Sequence, residues 1–195
     1  VSASAPEIVC EGTPFDIYVN APENGISYVL YDVDGNSSTV RNTIKKTDAI
    51  SEVKFAIPST YFRKDEDGNV ANGQFSVVAK NERGCESTSA KVNVQKVEKP
   101  NVLIEATPVG QEEWEKSGKL EVCPNTEIMF KLTNNGSLKQ DFSYNITSSN
   151  SDVQIYKVQN ADYAQLLDKK TVFTFSFDSE ELSGCSSTNS YVVDI

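Results

Sequence analysis

One pattern, written twice, constrains this chain more than any other. In the first copy Gly73, Phe75, Val77 and Ala79 fall on every second position. The run then passes through Asn81, Glu82 and Arg83 into Gly84-Cys85, and an alternating segment follows at Ala90, Val92 and Val94. In the second copy Thr171, Phe173, Phe175 and Phe177 alternate in the same way, a loop ends at Gly184-Cys185, and a last strand covers 190–195. Each copy has a second cysteine upstream, just before another alternating run: Cys10 before Phe15, Ile17 and Val19, and Cys123 before Ile128, Phe130 and Leu132. Period-two alternation is the mark of half-buried strands. A cysteine frame repeated at this interval sets a unit of roughly 100 residues, the size of one β-sandwich.

A length of 195 residues allows one domain or two, and the duplication decides for two. The boundary is placed at 97/98, in the run Val97-Glu98-Lys99-Pro100 where proline breaks the alternation. Turn signals recur about every ten residues in the first half: Gly12 to Pro14, Asn24-Gly25, Asp34-Gly35 and Pro58. That is the rhythm of a seven-strand antiparallel sandwich. The second half carries an insertion at 108–118 with no counterpart in the first, and it holds the single tryptophan, Trp114. Tyr163, Leu166 and Leu167 stand at helical spacing, so a short helix is expected over 161–170. The fold class expected is all-β, two tandem Ig-like antiparallel β-sandwich domains at 1–97 and 98–195.

The formal charge of −10 comes from 28 acids against 18 bases, and the second half carries 15 of those acids against 8 bases. Such a field repels phosphate backbones, so nucleic acid is not expected as a partner. No apolar run approaches the roughly 20 residues of a membrane helix, and no membrane insertion is expected. The chain does not begin with methionine and ends in a strand-like run, Val193-Asp194-Ile195, which reads as part of a longer polypeptide. Four cysteines, two per repeat, with no histidine and no C-x-x-C spacing, read as disulfides in an oxidising, extracellular or cell-surface location rather than as a zinc site.

The frame Val9-Cys10-Glu11-Gly12, the tyrosines Tyr28 and Tyr31, and the stretch from Gly73 to Gly84-Cys85 resemble the Ig-like repeats of Bacteroidota surface proteins. In the second half the resemblance rests on Val122-Cys123-Pro124 and Ser183-Gly184-Cys185. Those repeats are strung in tandem in very large adhesins exported by the type IX system, gliding-motility adhesins among them. The resemblance implies export, a surface location and, as partners, neighbouring Ig-like repeats of the same polypeptide.

The simplest disulfide pairing is Cys10 with Cys85 and Cys123 with Cys185, one bond per domain. In an Ig-like trace, however, the turn after the first strand and the turn before the last lie at opposite ends. Bonding from one repeat to its neighbour is therefore the alternative, and four cysteines allow three pairings. No metal or other cofactor is expected. Asp32, Asp34 and Asn36, and Asp65, Asp67 and Asn69, have the alternating oxygens and bend glycine of a calcium loop, but position twelve is Thr43 or Ser76 instead of glutamate. They read as Asp-Gly turns, with a looser calcium site as the other reading. Trp114, Tyr61 and Phe62 are the aromatic candidates for ligand contact, since flat rings stack on sugar faces. Adjacent residues on a strand face opposite ways, so one of Tyr61 and Phe62 belongs to the core.

Without histidine there is no Ser-His or Cys-His pair to activate a nucleophile, and catalysis is not expected. The sequence points to a stalk or spacer segment of a large secreted adhesin. The competing reading is an accessory module in which the second domain holds an extracellular polysaccharide or a surface protein.

Overall fold

The computed structural model describes residues 1–63, 70–135, 143–158, 161–165 and 169–195. The chain forms two compact units, Val1–Val97 and Glu98–Ile195.

In the first unit the strands are β1 (Ala3–Ser4), β2 (Ile8–Cys10), β3 (Phe15–Val19), β4 (Ser27–Asp34), β5 (Ser37–Lys45), β6 (Lys54–Ile57), β7 (Gln74–Lys80), β8 (Ala90–Asn93) and β9 (Gln95–Val97). One sheet has the order β1-β3-β6 and the facing sheet the order β5-β4-β7-β8, all antiparallel. Alternation in the sequence becomes burial in the fold. Phe15, Ile17 and Val19 of β3 and Phe55 and Ile57 of β6 point inward, against Tyr28 and Leu30 of β4, Phe75 and Val77 of β7 and Val92 of β8. Each such side chain contributes about 1.5–3 kcal/mol when fully withdrawn from water. The β4–β5 hairpin turns on Gly35, at φ 58, with Asp34 opposite Ser37. Glycine at the first central position of a two-residue loop matches the twist of the flanking strands.

The second unit follows the same plan. Its strands are β10 (Val102–Pro108), β11 (Lys119–Glu121), β12 (Glu127–Asn134), β13 (Tyr144–Ser148), β14 (Ile155–Val158), β15 (Ala161–Gln165), β16 (Thr171–Asp178) and β17 (Ser186–Asp194). The sheets run β10-β12-β15-β14 and β11-β17-β16-β13. Their shared core is more aromatic, with Phe130, Phe173, Phe175, Phe177 and Tyr191 all fully buried. Both units are therefore Ig-like β-sandwiches, and among the described residues the chain is all-β.

The helix expected over 161–170 is not found. Ala161–Gln165 is a strand, hydrogen-bonded between β12 and β14, with Ala164 opposite both Ile128 and Ile155. Ala164 is fully buried there, and burial between two strands outweighs a helical spacing of apolar residues. Leu166 and Leu167 lie outside the described residues.

The same strand carries a buried carboxylate. Asp162 is 1% exposed and accepts a hydrogen bond from the Tyr144 hydroxyl, while its other oxygen accepts none among the described residues. Burial pushes this carboxyl above the ordinary aspartate range, opposed only in part by Tyr144 and the Lys157 ammonium. The fold therefore favours the proton. The stabilisation it brings is complete below the unfolded value of about 4 and is lost as pH rises through the raised folded value. Asp162→Asn removes that titration, so the stability of the variant relative to wild type should climb as pH is raised from about 4 towards neutrality. Parallel denaturant titrations across that range check this; a difference independent of pH contradicts it.

Candidate functional site

In both units the first strand is broken in two, and its second half leaves the first sheet to pair with the last strand, as a separate two-stranded sheet β2-β9 in the first unit and as the edge of the β11-β17-β16-β13 sheet in the second. β2 leaves the β1-β3-β6 sheet and runs parallel to β9, pairing Ile8 with Gln95, Val9 with Lys96 and Cys10 with Val97. In the second unit β11 runs parallel to β17, pairing Lys119 with Val192 and Glu121 with Asp194. The chain thus enters each unit at one end and leaves it at the other. Asn20, at one end of β3, bonds the carbonyl of Ser2, whereas Val97 lies beside Cys10. Asn135 bonds the carbonyl of Asn101, whereas Asp194 accepts from the Val122 amide.

The cysteines mark these two ends. Cys10 ends its parallel half-strand, Cys123 follows its own by two residues, and each opens a tight turn: the Thr13 amide bonds back to the Cys10 carbonyl, and the Thr126 hydroxyl to the Cys123 carbonyl. Both lie at the exit end. Cys85 and Cys185 occupy matching turns before the last strands, each preceded by a left-handed glycine, Gly84 at φ 82 and Gly184 at φ 83. Each turn is closed by a backbone amide that donates a hydrogen bond to the cysteine carbonyl, from Asn81 at 3.1 Å and from Ser179 at 2.8 Å. Both lie at the entry end: Cys85 lines a depression with Val1, and the Cys185 sulfur is 3.9 Å from the Glu98 carbonyl oxygen.

The pairing of Cys10 with Cys85 and of Cys123 with Cys185 is not what forms. Cys10 and Cys185 are disulfide-bonded and buried; Cys85 and Cys123 carry free thiols and are exposed. Distance is the reason. Between Cys85 and the Cys10–Val97 level run β8 and β9. Between Cys123 and Cys185 runs the whole of β17, nine residues long. At about 3.3 Å per residue these strands separate the sulfurs by roughly 25–30 Å, against a limit of about 7 Å between bonded Cα atoms. Iodoacetamide on the native, unreduced protein is accordingly expected to label Cys85 and Cys123 to completion and to leave Cys10 and Cys185 unmodified, as peptide mass mapping would read. Labelling at Cys10 or Cys185 before reduction would contradict the assignment.

The aromatic candidates are divided by their surroundings. Phe62 is buried and stacks on Phe15 at 6.1 Å. Tyr61 is half-buried, packed on Phe75 at 5.1 Å, with the Arg41 guanidinium 4.7 Å above its ring. Its hydroxyl donates to Asp32, whose carboxylate also takes Arg41 Nε at 2.8 Å. Burial first, then the Asp32 charge, pushes the Tyr61 hydroxyl well above its ordinary value. Tyr61 is thus packed against Phe75 and Arg41, and Asp32 is already engaged by a cation and a hydroxyl. Asp34 and Asn36 sit on the exposed β4–β5 hairpin, while Asp65, Asp67 and Asn69 lie outside the described residues. Among the described residues no group of three or more His, Cys, Asp or Glu is placed to hold a metal ion.

Trp114 has a different setting. The insertion between β10 and β11 is bridged back to β10 by two bonds between Ala106 and Glu115, at 3.0 and 2.8 Å. The Tyr191 hydroxyl donates to the Glu115 carbonyl, and burial, with the Glu115 charge, pushes its pKa up to about 12. Glu105, 6% exposed at its side chain, pairs with Lys116 at 3.2 Å and Lys131 at 3.8 Å. Burial alone would raise its pKa, but these ammonium groups and the Thr133 hydroxyl hold it below the ordinary range. Lys131 also lies 5.7 Å from the Trp114 ring centre. The anchored ring lines an open depression of about 430 Å3 with Gln111, Glu113, Glu121 and Cys123. The sequence marks Trp114 as the odd residue of an insertion; it carries no sign of Lys131 above the ring or of Cys123 beside it.

No protein-family model and no curated protein matches the chain. Among solved structures it is similar to the fibronectin(III)-like modules of Clostridium thermocellum CbhA, at 12% identity and a TM-score of 0.33, covering 99% of this chain and 93% of that one.

Proposed function

We propose that the chain is a structural segment of a secreted cell-surface adhesin, a stalk or spacer of tandem Ig-like units that carries load along the polypeptide. The observation that carries this reading is the parallel pairing of the split first strand with the last strand in each unit. With the chain entering at one end and leaving at the other, tension on the termini pulls β2 against β9, and β11 against β17, along the strand direction. The ladder bonds are then loaded together in shear instead of being opened one after another. They include Gln95 to Glu7 and Glu11 to Val97, both at 2.8 Å, and Val192 to Gly118 and Val122 to Asp194, at 2.9 and 3.0 Å. Each such bond adds only about 1 kcal/mol at equilibrium, but simultaneous rupture raises the barrier to extension. Neighbouring repeats, a surface location, type IX export and gliding motility belong to the same proposal.

Force spectroscopy on the full chain, held at its termini, tests it. In reductant two resisted steps are expected, each releasing roughly 300 Å as about 97 residues extend. Smooth extension without a resisted step would overturn the load-bearing reading.

The Trp114 depression supports the second reading, a polysaccharide-binding accessory module, because an anchored aromatic ring in a hollow of this volume suits a sugar face. Retention on an immobilised polysaccharide that disappears in Trp114→Ala would favour it over the spacer.

A further inference from the structure

The units are built alike, yet their cysteines are in two redox states. Each unit has one cysteine at its exit end, Cys10 or Cys123, and one at its entry end, Cys85 or Cys185. The exit cysteine of the first unit and the entry cysteine of the second are disulfide-bonded. The entry cysteine of the first and the exit cysteine of the second are free and exposed. The free thiols therefore stand at positions whose counterparts in the sister unit are already in disulfides, on turns that in every case place a hydrogen bond on the cysteine carbonyl. One is an exit cysteine and the other an entry cysteine, which is the combination needed to join one copy to the next.

We infer that Cys123 of one copy and Cys85 of a second copy of this chain form a head-to-tail disulfide, so that copies link end to end in a linear covalent array. For its partner this rests on the tandem reading above. Both thiols lie in open depressions that a second molecule can reach. Cys123 lies in the depression lined by Trp114, Glu113 and Glu121. Cys85 lines a second, of about 350 Å3, together with Val1, Glu23 and Glu86. Because the two surfaces differ, the contact is heterologous and repeats without closing.

Each new S–S bond removes two thiol protons and two electrons. The oxidant is a low-molecular-weight disulfide. One protein thiolate attacks it to give a mixed disulfide and release a small thiol, and the second protein thiolate displaces the other small thiol as the protein bond forms.

The test uses the full chain with Cys10 and Cys185 left oxidised, concentrated in oxidised glutathione and resolved by non-reducing electrophoresis and peptide mapping. Wild type is expected to give a ladder of dimer, trimer and higher species containing a Cys85–Cys123 peptide. Cys85→Ser and Cys123→Ser alter only exposed side chains; each alone is expected to remain monomeric, and an equal mixture of the two to give dimers that grow no further. Monomer carrying only glutathione adducts would overturn the proposal. So would oligomers that persist in either single variant, since those require like-with-like bonds. Neither failure touches the force-extension result, so the junction and the load-bearing reading can fail separately.

Discussion

Gly73→Ala is expected to destabilise the first unit by roughly 2–5 kcal/mol, enough to unfold much of it near physiological temperature. Gly73 has φ 69, a left-handed conformation that costs a residue with a Cβ about 1 kcal/mol or more. The larger part is steric. A Cβ built at this position falls 1.9 Å from the Val94 carbonyl oxygen and 3.2 Å from the Phe62 ring. Val94 cannot retreat cheaply: it is buried, and its amide donates to the Gly73 carbonyl at 2.9 Å. The extra methyl group therefore opens the junction where β7 meets the chain between β8 and β9. Gly25→Ala separates the two contributions. Gly25 has φ 82 but nothing within 4 Å of the added atom, so only the conformational cost of about 1 kcal/mol is expected. Amide hydrogen exchange on β7 and β8 reads both variants, and equal losses in the two would refute the steric argument.

Phe130→Ala is expected to cost the second unit about 3–5 kcal/mol, a shift on the order of 20 °C for a unit of this size. Phe130 is fully buried on β12, and its ring centre lies 4.8 Å from Phe173, 5.2 Å from Phe175 and 5.8 Å from Tyr191. Truncation leaves a void among rigid rings fixed by two sheets, where collapse is limited and the cavity penalty adds to the lost transfer energy. Trp114, the single tryptophan, belongs to the same unit and makes the transition visible by fluorescence. A loss below about 1 kcal/mol would mean that the ring cluster repacks freely.

The strands that were legible in the sequence are those with strict alternation. β3, β6, β7 and β16 carry inward aromatic and aliphatic residues at every second position, and short-range pattern alone sets which face is buried. β15 was not legible, because Ala164 and its neighbours have a weak pattern of their own and take strand geometry from β12 and β14 on either side. Of the site, that one of Tyr61 and Phe62 belongs to the core, and that Trp114 is the exceptional residue, could be read from spacing and composition; that the core residue is Phe62 could not. The Arg41 and Asp32 cover on Tyr61 and the position of Lys131 above Trp114 could not, since each joins residues distant in sequence.

The cysteines draw the same line most clearly. The sequence by itself determined that this is an all-β chain with a repeated frame, one cysteine near the start and one before the last strand of each repeat, because alternation, turn glycines and repetition are local properties. Which cysteines bond was decided only by the tertiary structure. The split first strand lies parallel to the last, so a full strand length separates the two sulfurs of each unit, and a disulfide cannot span it.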